Sequence, residues 1–113
     1  MLSNESRKEA IRRFKEQKPT IGIYAIRSTT TGHTWVGTSR NLQASKNSSW
    51  FQLRGGLHKE KALQEEWVVQ GESSFQFEIL DRLDEDVHPL QIPDQLKLKK
   101  NDWTVRLGAQ QLL

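Results

Sequence analysis

Ile21-Gly22-Ile23-Tyr24-Ala25-Ile26 is β-rich, apolar on both faces and bounded by turn formers. The turn Ser28 to Gly32 separates it from a second short run, His33-Thr34-Trp35-Val36-Gly37-Thr38. The two runs are expected to form a β-hairpin with a longer loop.

Outward from the hairpin, the pattern changes period. Polar residues Thr38 to Asn41 lead into a short helix expected over Asn41 to about Lys46. Ser48 or Ser49 then caps a separate helical turn holding Trp50, Phe51 and Leu53, which Gly55-Gly56 ends. A clearer helix runs from Lys59 to about Gln70, with Ala62, Leu63, Glu66 and Trp67 three and four apart and Gly71 at its C′ position. Phe75-Gln76-Phe77-Glu78-Ile79-Leu80 alternates and predicts a third strand with one buried face. Pro93-Asp94 opens a last helix to about Leu107, closed by Gly108, with Leu96, Trp103 and Leu107 as its buried stripe and Lys100 on the same stripe. Upstream, Ser6 to Glu9 has capping-box spacing, and a basic helix is expected from Ser6 to about Glu16; Pro19 blocks its continuation. The order predicts an α+β domain: a three-stranded antiparallel sheet flanked by helices.

Composition bounds the rest. A chain of 113 residues makes one domain, taken as 1–113, with a leading basic helix (6–17) and a core (20–108). Four tryptophans and four phenylalanines supply a modest core. With no cysteine, disulfide frameworks and thiolate metal sites are excluded. No apolar run approaches the ~20 residues of a membrane span, and Met1 to Lys18 lacks the apolar segment of a secretory signal. The expectation is a cytoplasmic protein with no membrane partner. A net charge of +3 and a pI near 9.4 are compatible with nucleic-acid binding and equally with an ordinary basic protein.

Gly22-Ile23-Tyr24, ten residues, then Trp35-Val36-Gly37 resembles the motif pair of the GIY-YIG nucleases, with tryptophan where that family usually has tyrosine. Gly56-Leu57-His58 with Ala62-Leu63-Gln64, Trp67 and Gly71 is similar to the family's central helix. Phe75 to Leu80 is similar to its third strand, and Trp103 to the aromatic of its closing helix. The resemblance implies phosphodiester cleavage of nucleic acid, DNA in the first place, by a hairpin tyrosine, an arginine and a divalent metal such as magnesium held on one glutamate. Metal and arginine offset the charge that develops on the phosphate. It places Tyr24, Arg54 and His58 in the catalytic set. The family arginine falls near Ser45 here, so either Arg40 or Arg54 must serve, and Arg54 is preferred because it precedes His58 closely. His58, ahead of a helix, is expected to be neutral and able to accept a proton. Trp35, Arg40, Lys46, Lys59, Arg12 and Arg13 are candidate nucleic-acid contacts.

The metal ligand is missing. One turn before Trp103 stands Lys100, and no carboxylate lies between Asp94 and Asp102. An ammonium at that place repels a divalent cation. Asp81, Asp84, Glu85 and Asp86 are expected to be solvated loop acids. Two readings follow: a nuclease-type domain that acts on nucleic acid by phosphodiester cleavage, its activity retained or lost, or a non-cutting module of the same fold that binds nucleic acid or a protein.

Overall fold

The structure is a computed structural model that describes residues 19–112. The expected leading helix, with Arg12 and Arg13, lies outside the described residues. Strands β1 (Gly22–Ser28) and β2 (Thr34–Ser39) are followed by helices α1 (Leu42–Arg54) and α2 (Lys61–Gln70), strand β3 (Phe75–Arg82), helix α3 (Ile92–Leu107) and a short strand β4 (Gln110–Gln111). No described helix is long and apolar enough to cross a membrane.

The sheet order is β3-β1-β2-β4. The hairpin forms as expected, with Tyr24 opposite Gly37 and Ile26 opposite Trp35, and β3 pairs antiparallel on the far side of β1. A fourth strand was not expected. Gln110 and Gln111 run parallel to β2 beside Trp35 and Val36, and the Leu112 amide donates to the Val36 carbonyl at 2.8 Å. Gln-Gln-Leu carries no β-branched or aromatic signal, and an edge strand of two residues is fixed by the edge it covers.

β1 is buried on both faces, which explains its unbroken apolar run. On one face Ile26, Trp35, Trp50, Leu53, Leu63, Trp67, Phe75 and Leu112 form an aromatic-rich core beneath α1 and α2, with Tyr24 and Phe77 against it. On the other, Ile23, Ala25, Val36, Leu83 and Leu96 form a smaller core beneath α3, with Leu80 and Trp103 at its margin.

α1 is one continuous helix, where two pieces were expected. The Asn41 side chain caps it, accepting from the Ala44 amide at 3.3 Å. Serines 45, 48 and 49 cost it only a few tenths of a kcal/mol each against alanine, and burial of Leu42, Trp50 and Leu53 along one face outweighs that. The β1–β2 turn is tied to α2 through Glu66, which accepts from the Thr31 hydroxyl and lies 2.9 Å from His33 Nδ1. On α3, Leu96 and Trp103 face the sheet as expected, but Leu107 is 43% exposed at the helix end. Gly108 closes α3 in the left-handed region at φ 59°.

A bulge in β3 places one residue that sequence alone had assigned to a solvated loop. Ile23 pairs with Asp81 and Tyr24 with Ile79, so Leu80 is an extra residue in the ladder. Strict alternation would send Asp81 to the face of Phe75 and Phe77; the extra residue turns it to the α3 face. There Asp81 accepts from Trp103 Nε1 at 3.2 Å, from Lys99 Nζ at 3.1 Å and from the Arg82 amide at 2.9 Å. Burial pushes this carboxyl up, but the bonds from Trp103 and Lys99 outweigh it and hold it below its ordinary 3.8.

Asp81→Ala is expected to lower stability at neutral pH by about 1–2 kcal/mol in urea unfolding. A carboxyl with a lowered folded pKa contributes stability above its unfolded value, and that contribution is lost as pH falls through the folded pKa. The difference between wild type and variant should therefore shrink below pH 3.8. Gly22 faces a harder limit. A Cβ there would lie 2.1 Å from the Asp81 carbonyl oxygen, a backbone atom. Gly22→Ala is expected to cost about 3 kcal/mol in the same assay.

Candidate functional site

Tyr24 rises from the centre of β1 into a cleft of about 350 Å³ between the sheet and α1. Its ring stacks on Phe77 with centroids 5.0 Å apart. Opposite, a Cβ on Gly37 would lie 2.8 Å from the Tyr24 hydroxyl oxygen, so the absent side chain of Gly37 is the space that the phenol occupies. Burial raises the phenol above its ordinary 10, only partly offset by a hydrogen bond with Ser49, so Tyr24 is neutral at pH 7 and a poor base.

The floor of the cleft is hydroxyl-rich. Ser45 and Ser49 stand one turn apart on the inner face of α1, and Ser39, Ser48, Asn41 and Gln52 complete a lining of neutral hydrogen-bonding groups. Ser45 Oγ reaches the Asn41 carbonyl at 2.9 Å and shares a hydrogen bond with Ser39 Oγ. Sequence reading had placed the family arginine position near Ser45, and serine stands there on the cleft wall. Ser49 was missed altogether. Its signal was the four-residue spacing from Ser45, legible only if α1 is continuous.

His58 and Lys59 close the cleft from the loop before α2. Burial lowers the imidazole below its ordinary 6.5, opposed weakly by Glu60. His58 Nδ1 accepts from the Glu60 amide at 3.1 Å, and Gln64 fixes the same loop, its Oε1 accepting from the His58 amide at 3.1 Å and its Nε2 donating to the Leu53 carbonyl at 2.9 Å. With Nδ1 occupied as an acceptor, a neutral ring carries its proton on Nε2. The ring is neutral as expected, but in this tautomer its free nitrogen is a donor.

The other candidates scatter. Arg54 pairs with Glu72 at the outer end of α1 and does not line the cleft. Lys46 lies over the Trp50 ring, 5.9 Å from its centroid, and feels the same Glu72. Trp35 is 1% exposed in the core, so it offers no face to a base; its Nε1 is buried without a hydrogen-bond partner. Arg40 lines a neighbouring groove between β2 and α3.

Lys100 lines that same groove, half-buried, and its Nζ donates to the Leu112 carbonyl at 2.6 Å. The residues present do not fit a divalent metal. Asp102 pairs with Arg106 at 3.2 Å, Asp94 lines neither cavity, and Asp81 is committed to Trp103 and Lys99. Among the described residues no group of three histidines and carboxylates could hold a metal ion.

The tautomer has a direct readout. Nitrogen-15 NMR of the imidazoles is expected to show His58 protonated on Nε2 and titrating below 6.5. A midpoint above that value, or protonation on Nδ1, would contradict the geometry.

No family model matches the sequence, and neither does any curated protein. Solved structures do match. The catalytic domain of the homing endonuclease I-TevI superposes with a TM-score of 0.69 at 21% identity, over 82% of this chain and 98% of that one. A mutant of the catalytic domain of intron endonuclease I-TevI superposes with a TM-score of 0.66 at 22% identity, over 79% of this chain and 84% of that one. The chain therefore has the α+β fold of the I-TevI catalytic domain, the fold that the two hairpin motifs implied.

Proposed function

We propose that this chain binds nucleic acid on a nuclease-type frame and does not cut it by a metal-dependent route. The observation that carries this reading is the chemistry of the cleft around Tyr24. The Nε2–H of His58, the hydroxyls of Ser39, Ser45, Ser48 and Ser49, the amides of Asn41 and Gln52 and the ammonium of Lys59 are donors for phosphate oxygens. Among the described residues no carboxylate lines the cleft to hold a metal, and no arginine lines it to offset charge on a transferring phosphate. With Tyr24 neutral and His58 a donor, no described side chain of the cleft is suited to deprotonate water there.

The likeness in fold to an endonuclease catalytic domain supports nucleic acid as the ligand, and the resemblance of the hairpin motifs points to DNA as its form. A pI near 9.4 points the same way. The groups in the cleft recognise backbone and carry no arrangement for reading bases, so binding on this surface is sequence-tolerant.

The test pairs two assays on purified protein. Plasmid incubated with magnesium or manganese should show no nicking beyond the EDTA control. A labelled DNA duplex should bind with affinity that falls as salt rises, with a log–log slope of about −0.9 per phosphate contacted. Metal-dependent cutting that Tyr24→Phe abolishes would overturn the non-cutting reading. Affinity indifferent to salt would remove nucleic acid as the ligand.

A further inference from the structure

We propose a second phosphate-binding site for the same nucleic-acid strand, in the groove between β2 and α3. It rests on the nucleic-acid reading above and extends it to a surface that the cleft does not include.

The groove measures about 470 Å³ and is lined by Arg40, Lys97 and Lys100 together with Thr38, Ser39, Asn101 and Gln111, and, among the described residues, by no acidic side chain. Among the described residues, none of the three cations forms an ion pair. Isolated lysines on a surface are ordinarily just solvated. Three cations around one concavity are different: they repel one another across a partly desolvated space, and an entering anion relieves all three.

Lys100 is the fixed member of the set. It is half-buried, and its bond to the Leu112 carbonyl uses one of three N–H groups, so two remain for a ligand. Arg40 contributes a planar fork suited to two phosphate oxygens at once. Lys97 stands nearly one turn before Lys100 on α3, on the same side of the helix. The hydroxyls of Thr38 and Ser39 and the amides of Asn101 and Gln111 add neutral donors.

Position ties this groove to the cleft. Thr38 and Ser39 line both cavities, so only the last two residues of β2 separate them. A strand whose phosphate sits near His58 and Lys59 therefore passes directly over β2 into the groove. Lys100 stands where the family resemblance would put a metal-binding glutamate, and on this account it has a positive role: an ammonium takes the phosphate charge that a metal would otherwise meet.

The experiment compares wild type with the double variant Arg40→Gln, Lys97→Gln, by fluorescence anisotropy of a labelled DNA duplex across a salt series. Both side chains are exposed and form no ion pair among the described residues, so the variant should melt like wild type. Expected are at least a tenfold loss of affinity at low salt and a slope reduced by about 0.9 for each contact removed. A second arm adds inorganic pyrophosphate at matched ionic strength, where no displacement beyond the salt effect is expected. Saturable displacement would overturn the assignment to a nucleic-acid strand in favour of a small phosphate ligand. An unchanged slope in the double variant, with wild-type binding intact, overturns the groove alone. Failure of wild type to bind duplex at all overturns the nucleic-acid reading and this extension with it.

Discussion

β1 is buried on both faces, and the rest of the molecule is arranged around that constraint. A strand with no solvent face must be flanked by strands and covered above and below. Two glycines in and beside it set how closely its neighbours approach. Gly22 lets the β3 backbone come within a distance no side chain would tolerate, and Gly37 leaves the space that the Tyr24 ring fills. The bulge at Leu80 lets β3 stay paired with β1 while turning Asp81 toward α3. The position of α3, and with it the groove, depends on that one extra residue.

The hairpin, the central helix and the closing helix were legible because each carries a strong period and a glycine or proline at its boundary, and the third strand because Phe75 to Leu80 alternates. What was hidden depended on contacts distant in the chain. Ser48 and Ser49 resemble a cap, and only the burial of Trp50 and Leu53 against a sheet not visible from local sequence keeps α1 unbroken. Gln110 and Gln111 have no strand signal of their own. Asp81 looked like a loop acid because a bulge leaves no mark in hydrophobic alternation.

The candidate site was legible in part for the same reason. Tyr24, His58 and Lys59 lie at fixed offsets from motifs and meet in one cleft. Trp35 was a candidate nucleic-acid contact, able to stack on a base, yet its cross-strand partner Ile26 and the helices above draw it into the core. Arg54 was preferred for its closeness to His58 in sequence. The helix carries it outward to Glu72 instead, while the sequence-distant Lys100 and Leu112 meet at the margin of the site.

The two cores are unequal, and they share only the sheet. Four large aromatic rings and their neighbours bind α1 and α2 to one face, whereas α3 is held by a few aliphatic contacts, Trp103 and the polar clamp on Asp81. Elements with less buried apolar area open at lower free energy than the molecule as a whole. α3 is therefore expected to exchange its amide hydrogens ahead of β1, while the Leu112 side chain beside β4 stays buried in the aromatic core on the other face. The groove is bounded by β2 on one side and α3 on the other, so a ligand that bridges the two is expected to slow that exchange and bind the sheet and α3 into a single unit.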